Sequence, residues 1–172
     1  PWPWSVVPWI AGSPAISLSR AENAVWAHQL ADALTALHVP APEGAPLNPV
    51  RGRALSTRED AMRPRLDASA GPPALRRLWD EGLGAPLSSE SVWIHGDLHP
   101  GNVLIDEGGL AALIDFGDVT VGDPAYDLAS SWMLFDADGR AAFRAATGTR
   151  YDGATWVRAK AWAAYIALIL LT

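Results

Sequence analysis

The sequence predicts an α+β fold: a mostly helical body with a small β-hairpin beside a loop rich in His, Asp and Asn. Three observations predict it. Ala24, Leu30, Ala31, Leu34 and Leu37 recur near helical spacing, and further helical stretches follow late in the chain. Apolar runs short enough for strands gather between residues 91 and 114. Two of them, Val103–Ile105 and Leu110–Ile114, flank Asp106-Glu107-Gly108-Gly109, a hairpin signal whose glycines are free to take positive φ.

Taken in order, Ser5–Ile10 is apolar and rich in Val and Trp and reads as a buried strand, broken by Ala11-Gly12-Ser13-Pro14. Ser19-Arg20-Ala21-Glu22 fits a capping box and opens an amphipathic helix over about 20–38, which Pro40 ends. His28 and His38 read as surface or helix-end histidines without chemistry. Residues 40–56, rich in Pro and Gly, form a long loop. Thr57–Asp67 and Ala74–Glu81 read as short helices split by Gly71-Pro72-Pro73. The arginines here (Arg51, Arg53, Arg58, Arg63 and Arg65) alternate with Glu59, Asp60 and Asp67, the pattern of a solvated face. Ser91–Ile94 is a strand. Pro124–Phe135 is a helix with Asp123 at its cap and Pro124 in its first turn. Gly139–Ala146 and Ala154–Leu171 complete the helices.

Composition narrows the function. The 172 residues suffice for a real core, and 49% hydrophobic content excludes a disordered tail. A net charge of −6 and a pI near 5.0 argue against a nucleic-acid surface. They suit a cationic small substrate or simply a solvated acidic surface. There is no Cys, hence no disulfide and no thiolate metal site. The apolar run Ala161–Leu171 is shorter than the roughly 20 residues of a membrane span and reads as a core helix. A cytoplasmic location without membrane contact is expected. The chain starts at Pro1 and stops at Thr172 inside a helical run, so both ends read as cut.

The chemistry sits in His95-Gly96-Asp97-Leu98-His99-Pro100-Gly101-Asn102 and in Asp115-Phe116-Gly117. Phosphoryl transfer from ATP needs one carboxylate to take the proton of the attacking hydroxyl, and an Asn oxygen with a second carboxylate to hold Mg²⁺. Asp97, Asn102 and Asp115 supply that set in hard oxygen ligands. The hairpin should bring Asn102, at the start of one strand, near Asp115, at the end of the other.

These segments, with Gly122-Asp123-Pro124-Ala125-Tyr126-Asp127-Leu128-Ala129, resemble the aminoglycoside phosphotransferase family, which has a protein-kinase-like fold. Gly96 stands where protein kinases carry Arg, and no Ala-Pro-Glu triplet follows Asp115-Phe116-Gly117. The resemblance implies the mostly helical C-terminal lobe of that fold, with residues 1–12 as the end of the nucleotide lobe and hinge, and 13–172 as the catalytic and substrate lobe. It implies Asp97 as catalytic base, Asn102 and Asp115 as Mg²⁺ ligands, and His95 and Asp127 as braces of the catalytic loop. Backbone near Pro8, Trp9 and Ile10 would face the adenine of ATP (or GTP), although Pro8 has no N–H to give. His99 could support Asp97 or approach substrate, and Asp118 receives no role. Gly96, Gly101 and Gly117 permit turns.

No Gly-rich phosphate loop precedes residue 95, and the only lysine is Lys160. In the resembled family those parts lie before the position matching Pro1, so the N-terminal nucleotide lobe is missing and the chain alone should turn over poorly. The expected activity of the parent is phosphorylation of a hydroxyl on a small molecule: an aminoglycoside, or a related amino alcohol or sugar. Asp136, Asp138 and Asp152 are candidates to line a cationic substrate's pocket, or plain surface. Two alternatives stand beside this. A non-catalytic kinase-like binding module would not need Asp97, Asn102 and Asp115 intact. A metallohydrolase built on His95-x-Asp97-x-His99 would need a further ligand and would leave Asn102 and Asp115 unused.

Overall fold

The computed structural model describes residues 6–68, 73–87 and 91–170. The capping box forms as expected: Ser19 N–H donates to Glu22 Oε2 at 2.8 Å and Glu22 N–H to Ser19 Oγ at 3.3 Å. The helix it opens is not continuous. α1 (Arg20–Asn23) tightens into a 3-10 turn, Ala24–Trp26, before α2 (Ala27–Leu37) resumes. Trp26 is buried at that joint, with its ring 5.0 Å from Phe135. Ala27, Leu30, Ala31 and Leu34 then give α2 its buried face.

α3 (Glu59–Ala68) and α4 (Pro73–Gly84) lie close to the two short helices expected there. Pro73 begins α4, while Gly71 and Pro72 lie outside the described residues. α4 packs on the long α8 (Gly153–Leu170). Gly82 allows this approach: a Cβ there would come within 2.3 Å of the Ala161 Cβ. Trp79 and Trp162 fill the space between them. α8 is thus a core helix over most of its length, and among the described residues no helix is long and apolar enough to cross a membrane. Leu171 lies outside the described residues.

Two small antiparallel sheets carry the loops. In the first, β1 (Ser13–Pro14) pairs with β3 (Val103–Asp106), and β3 with β4 (Gly109–Leu113). The hairpin turns on Glu107 and Gly108, at φ 49° and 79°, the double positive φ of a tight two-residue connection. Gly109 instead pairs with Asp106. In the second sheet β2 (Val92–Ile94) pairs with β5 (Thr120–Gly122), a strand the sequence reading missed because three residues carry no period.

The expected strand at Ser5–Ile10 is not formed. Residues 6–10 lie in no helix or strand, and Val6, Val7 and Trp9 are 84, 75 and 94% exposed. A strand needs a neighbour to satisfy its backbone, and no described strand runs beside this one. Ser5 lies outside the described residues. The helix expected over Pro124–Phe135 is likewise two short ones, α5 (Ala125–Leu128) and α6 (Ser131–Leu134). α7 (Ala137–Ala146) follows, packed on α2.

Asp123 does more than begin α5. It accepts the Ala125 N–H at 3.1 Å and also receives the Arg158 fork, Nε at 2.6 Å and Nη2 at 3.0 Å. Arg158 is 1% exposed and also donates to the Pro86 and Thr155 oxygens. This buried pair ties α8 to the β5–α5 corner. Removing the cation leaves a carboxylate unpaired in the interior. Arg158→Ala should lower unfolding free energy by about 3–5 kcal/mol in a urea titration, the range for breaking a buried pair.

Candidate active site

β2 delivers the chain into the loop His95–Asn102, and the loop is held from beneath. Asp127 on α5 is 1% exposed, and its carboxylate accepts the backbone N–H of His95 (2.7 Å) and of Gly96 (3.0 Å). A third partner is His38, whose Nε2 lies 3.1 Å from the same carboxylate. The surface reading of His38 is therefore overturned: it is fully buried between Asp127 and the Tyr151 hydroxyl, 2.7 Å from Nδ1. Burial pushes the Tyr151 phenol up to about 12. The flanking Leu37 and Val39 were the only local hint that this histidine faces inward.

The His95 ring also works inside the loop. Nε2 lies 2.8 Å from the Ile114 carbonyl, so that nitrogen carries the proton, and bare Nδ1 accepts the Asp97 N–H at 3.3 Å. Both nitrogens are taken, which removes His95 from any zinc set. Among the described residues no three His, Asp or Glu side chains converge on a metal position. In His99, Nδ1 accepts the Gly101 N–H at 3.0 Å and Nε2 faces Asp97 Oδ2 at 3.8 Å.

Gly96 has a strict reason. Its φ is +83°, and a Cβ would sit 2.4 Å from the Asp118 carbonyl oxygen. The loop after β2 and the segment before β5 are drawn together by their strand pairing, so no side chain fits between them.

The hairpin places Asn102 and Asp115 at one end, as the Ile114 N–H donates to the Asn102 carbonyl at 3.0 Å. Asn102 is buried, and its Nδ2 donates to the Asp97 carbonyl at 2.9 Å. That bond fixes the amide and leaves Oδ1 as the atom free to bind a cation. Asp115 takes left-handed backbone, φ 63° and ψ 61°, a costly conformation that Asp tolerates better than most residues. Gly117 leaves room for its carboxylate. An amide oxygen with an exposed carboxylate is a donor set suited to Mg²⁺.

Arg51 is the residue that sequence reasoning missed. Placed among solvated arginines, it instead reaches the site. Nη2 meets Asp97 Oδ1 at 2.9 Å, Nε meets Asp118 Oδ2 at 2.9 Å, and Nη1 donates to the Tyr126 hydroxyl at 3.3 Å. Burial works against the guanidinium's charge, but Tyr126, Asp118 and Asp97 more than offset it and hold its pKa above the usual value. Asn48 Nδ2 holds the other Asp118 oxygen at 3.0 Å. Nothing local in the sequence marks Arg51; the contact depends on how the 40–56 loop folds back over β5.

A cavity of about 430 Å³ opens beside Asp97. Asp136, Asp138 and Asp152 are not part of its wall. Asp136 accepts the Gly139 N–H at the start of α7, and Asp152 the Thr155 N–H and hydroxyl at the start of α8. Those Thr155 bonds hold the Asp152 carboxyl below its usual pKa. Pro8, Trp9 and Ile10 stand on the exposed strip ahead of β1.

Two substitutions test this scaffold. Asp127→Asn offers one acceptor oxygen in place of two, and should cost about 3 kcal/mol or more and raise hydrogen exchange at the His95 and Gly96 amides. Gly96→Ala should cost about 2 kcal/mol or more in thermal or urea unfolding, since strain and a backbone clash coincide.

Comparison with known proteins agrees with this architecture. A solved macrolide 2'-phosphotransferase from Brachybacterium faecium superimposes with a TM-score of 0.63 at 23% identity, over 95% of this chain and 60% of that one. A macrolide 2'-phosphotransferase type I gives 0.61 at 27% identity, over 98% and 57%. An aminoglycoside phosphotransferase from Streptomyces rimosus, solved with ADP and streptomycin, gives 0.60 at 24% identity, over 92% and 67%. An aminoglycoside 3'-phosphotransferase of Escherichia coli is 45% identical over 47 residues, 27% of this chain and 17% of that protein. The chain thus spans about three fifths of the length of the first two structures, and its match covers a sixth or so of the curated relative. The kinase-like α+β fold expected from the sequence is the fold of these neighbours. The sequence model of the phosphotransferase enzyme family matches residues 1–162, and the chain belongs to that family.

Proposed function

We propose that this chain forms the catalytic and acceptor side of a phosphotransferase that moves the terminal phosphoryl group of ATP or GTP to a hydroxyl of a small molecule. Residues 1–12 would end the nucleotide lobe, with the backbone N–H groups of Trp9 and Ile10 available to the purine, and residues 13–172 would form the catalytic lobe. The observation that carries the reading is the fixed Asn102 amide. Its nitrogen is bound to the Asp97 carbonyl, and its oxygen is left free beside the strand end that bears Asp115.

In this reading Asp97 is the base. Arg51 holds Oδ1, which leaves Oδ2, 3.8 Å from His99 Nε2, as the oxygen to take the acceptor's proton. It orients the hydroxyl and takes its proton as the new oxygen–phosphorus bond forms and the nucleoside diphosphate departs. Asn102 Oδ1 and the Asp115 carboxylate would hold Mg²⁺, which supplies the positive charge that steadies the phosphate oxygens. Asp127 and His95 keep the loop rigid, so that Asp97 need not reorganise during transfer.

The test uses protein expressed from its complete reading frame. Asp97→Ala should lower kcat by about 10²-fold or more with the fold intact by circular dichroism, the usual worth of a general base. Asp115→Ala should abolish transfer at ordinary Mg²⁺. Undiminished transfer in the Asp97 variant would remove the base, and nucleotide binding without transfer to any hydroxyl would leave a binding module.

A further inference from the structure

A second cavity, of about 700 Å³, opens between α6, α7 and α8. α6 divides it from the cavity beside Asp97: Trp132 lines the one and Met133 the other. The charged groups in its wall are Arg140 and Arg144 on α7 and Lys160 on α8, and no acid stands among them. Helical spacing gathers them, since Arg140 and Arg144 lie four apart, as do Trp156 and Lys160. Two indoles hold the guanidinium groups. The Arg140 guanidinium carbon is 5.9 Å from the centre of the Trp132 ring, and that of Arg144 is 5.2 Å from Trp156. Arg140 Nη1 also donates to the Phe135 carbonyl at 2.9 Å, which leaves its other N–H groups open.

Among the described residues none of the three cations meets a carboxylate. The acids nearest in sequence do not answer them. Asp136 turns to the Gly139 N–H and Asp152 to Thr155, each at a helix start. Asp138, two residues before Arg140, falls on a different face of α7. Arg158 shows what a structural cation of this fold looks like: it is buried and forked onto Asp123. Arg140, Arg144 and Lys160 have no such task. In a chain of net charge −6 they make a concave wall of the opposite sign, the kind that focuses a positive potential. Guanidinium forks match phosphate oxygens in pairs, and an ammonium adds a point charge. The volume suits a small molecule. A nucleic acid would need a broad basic surface, which this acidic chain lacks.

We propose that the groove between α6, α7 and α8 binds a compact polyanion, a chain of two or three phosphates either free or carried on a nucleotide, on Arg140, Arg144 and Lys160. The site stands apart from the phosphotransferase reading, since none of its cations lines the cavity beside Asp97.

The experiment is calorimetric titration of the protein from its complete reading frame with sodium tripolyphosphate and with ATP. EDTA is present throughout, so that phosphate held through Mg²⁺ does not contribute. Tripolyphosphate should bind, and Arg144→Gln and Lys160→Gln should each weaken it about tenfold, the loss of one charge-assisted contact. Both side chains are exposed, so the variants should unfold at the native temperature. Arg144→Lys, which keeps the charge, should bind more tightly than Arg144→Gln. Arg77→Gln removes an exposed positive charge on α4, outside the groove wall, and should change nothing. No binding of either probe, binding that the groove variants leave unchanged, or an equal loss in Arg77→Gln would overturn the site. ATP tighter than tripolyphosphate, with the same dependence on Arg144 and Lys160, would sustain it with a nucleotide as the ligand. The reverse order would sustain it with free polyphosphate.

Discussion

The structure depends on one buried carboxylate. Asp127 is shut away from solvent, so it must take its hydrogen bonds from the protein, and it takes them from two separate parts of the chain. The His95 and Gly96 amides come from the loop after β2, and the His38 ring comes from the end of α2. His38 passes the constraint on to Tyr151, next to the start of α8. Hydrogen bonds to a charged group are worth more than neutral ones, about 1.5–3 kcal/mol each. The loop bearing Asp97 is thereby fixed from the helical body, not by its own short strands. A three-residue β2 could not hold it alone.

A second layer sits above this one. Arg51 bridges Asp97 and Asp118, and so links the loop before β3 to the segment after β4. Both carboxylates belong to segments that Gly96 lets approach within touching distance. The site is therefore clamped below by an anion and above by a cation. Between the clamps, Asp97 gives Oδ1 to Arg51, while Oδ2 lies 3.8 Å from His99 Nε2.

What could be read in the sequence follows the range of the interactions. The hairpin and the capping box are local, and both stand where the residues put them, apart from Glu107 sharing the positive φ with Gly108. Asn102 and Asp115 meet because the hairpin dictates it. Long-range contacts left little trace. Arg51 is one arginine among several, and its partners lie 46 and 67 residues away. Arg158 and His38 sit in helical patterns that give no sign of a buried charge or ring. The apolar run before Gly12 failed for the opposite reason: Val and Trp favour a strand, but a strand also needs a neighbouring backbone, and propensity carries no information about that.

Net charge misleads here in an instructive way. At −6 the chain looks suited to a cation. Yet many of its acids are paired with donors of the chain itself. Asp123 meets Arg158, Asp118 and Asp97 share Arg51, and Asp127 holds amides and a histidine. Glu22, Asp136 and Asp152 satisfy helix starts. Asp80 and Glu59 take Arg63, and Asp67 takes Arg76. A ligand senses the charges nearest its own cavity, where Arg51, Arg58, Asp97 and His99 stand among apolar side chains and Asp118 pairs with Arg51. Arg51 and Arg58 together balance Asp97 and Asp118, so the chain's excess of acid does not carry over to the site.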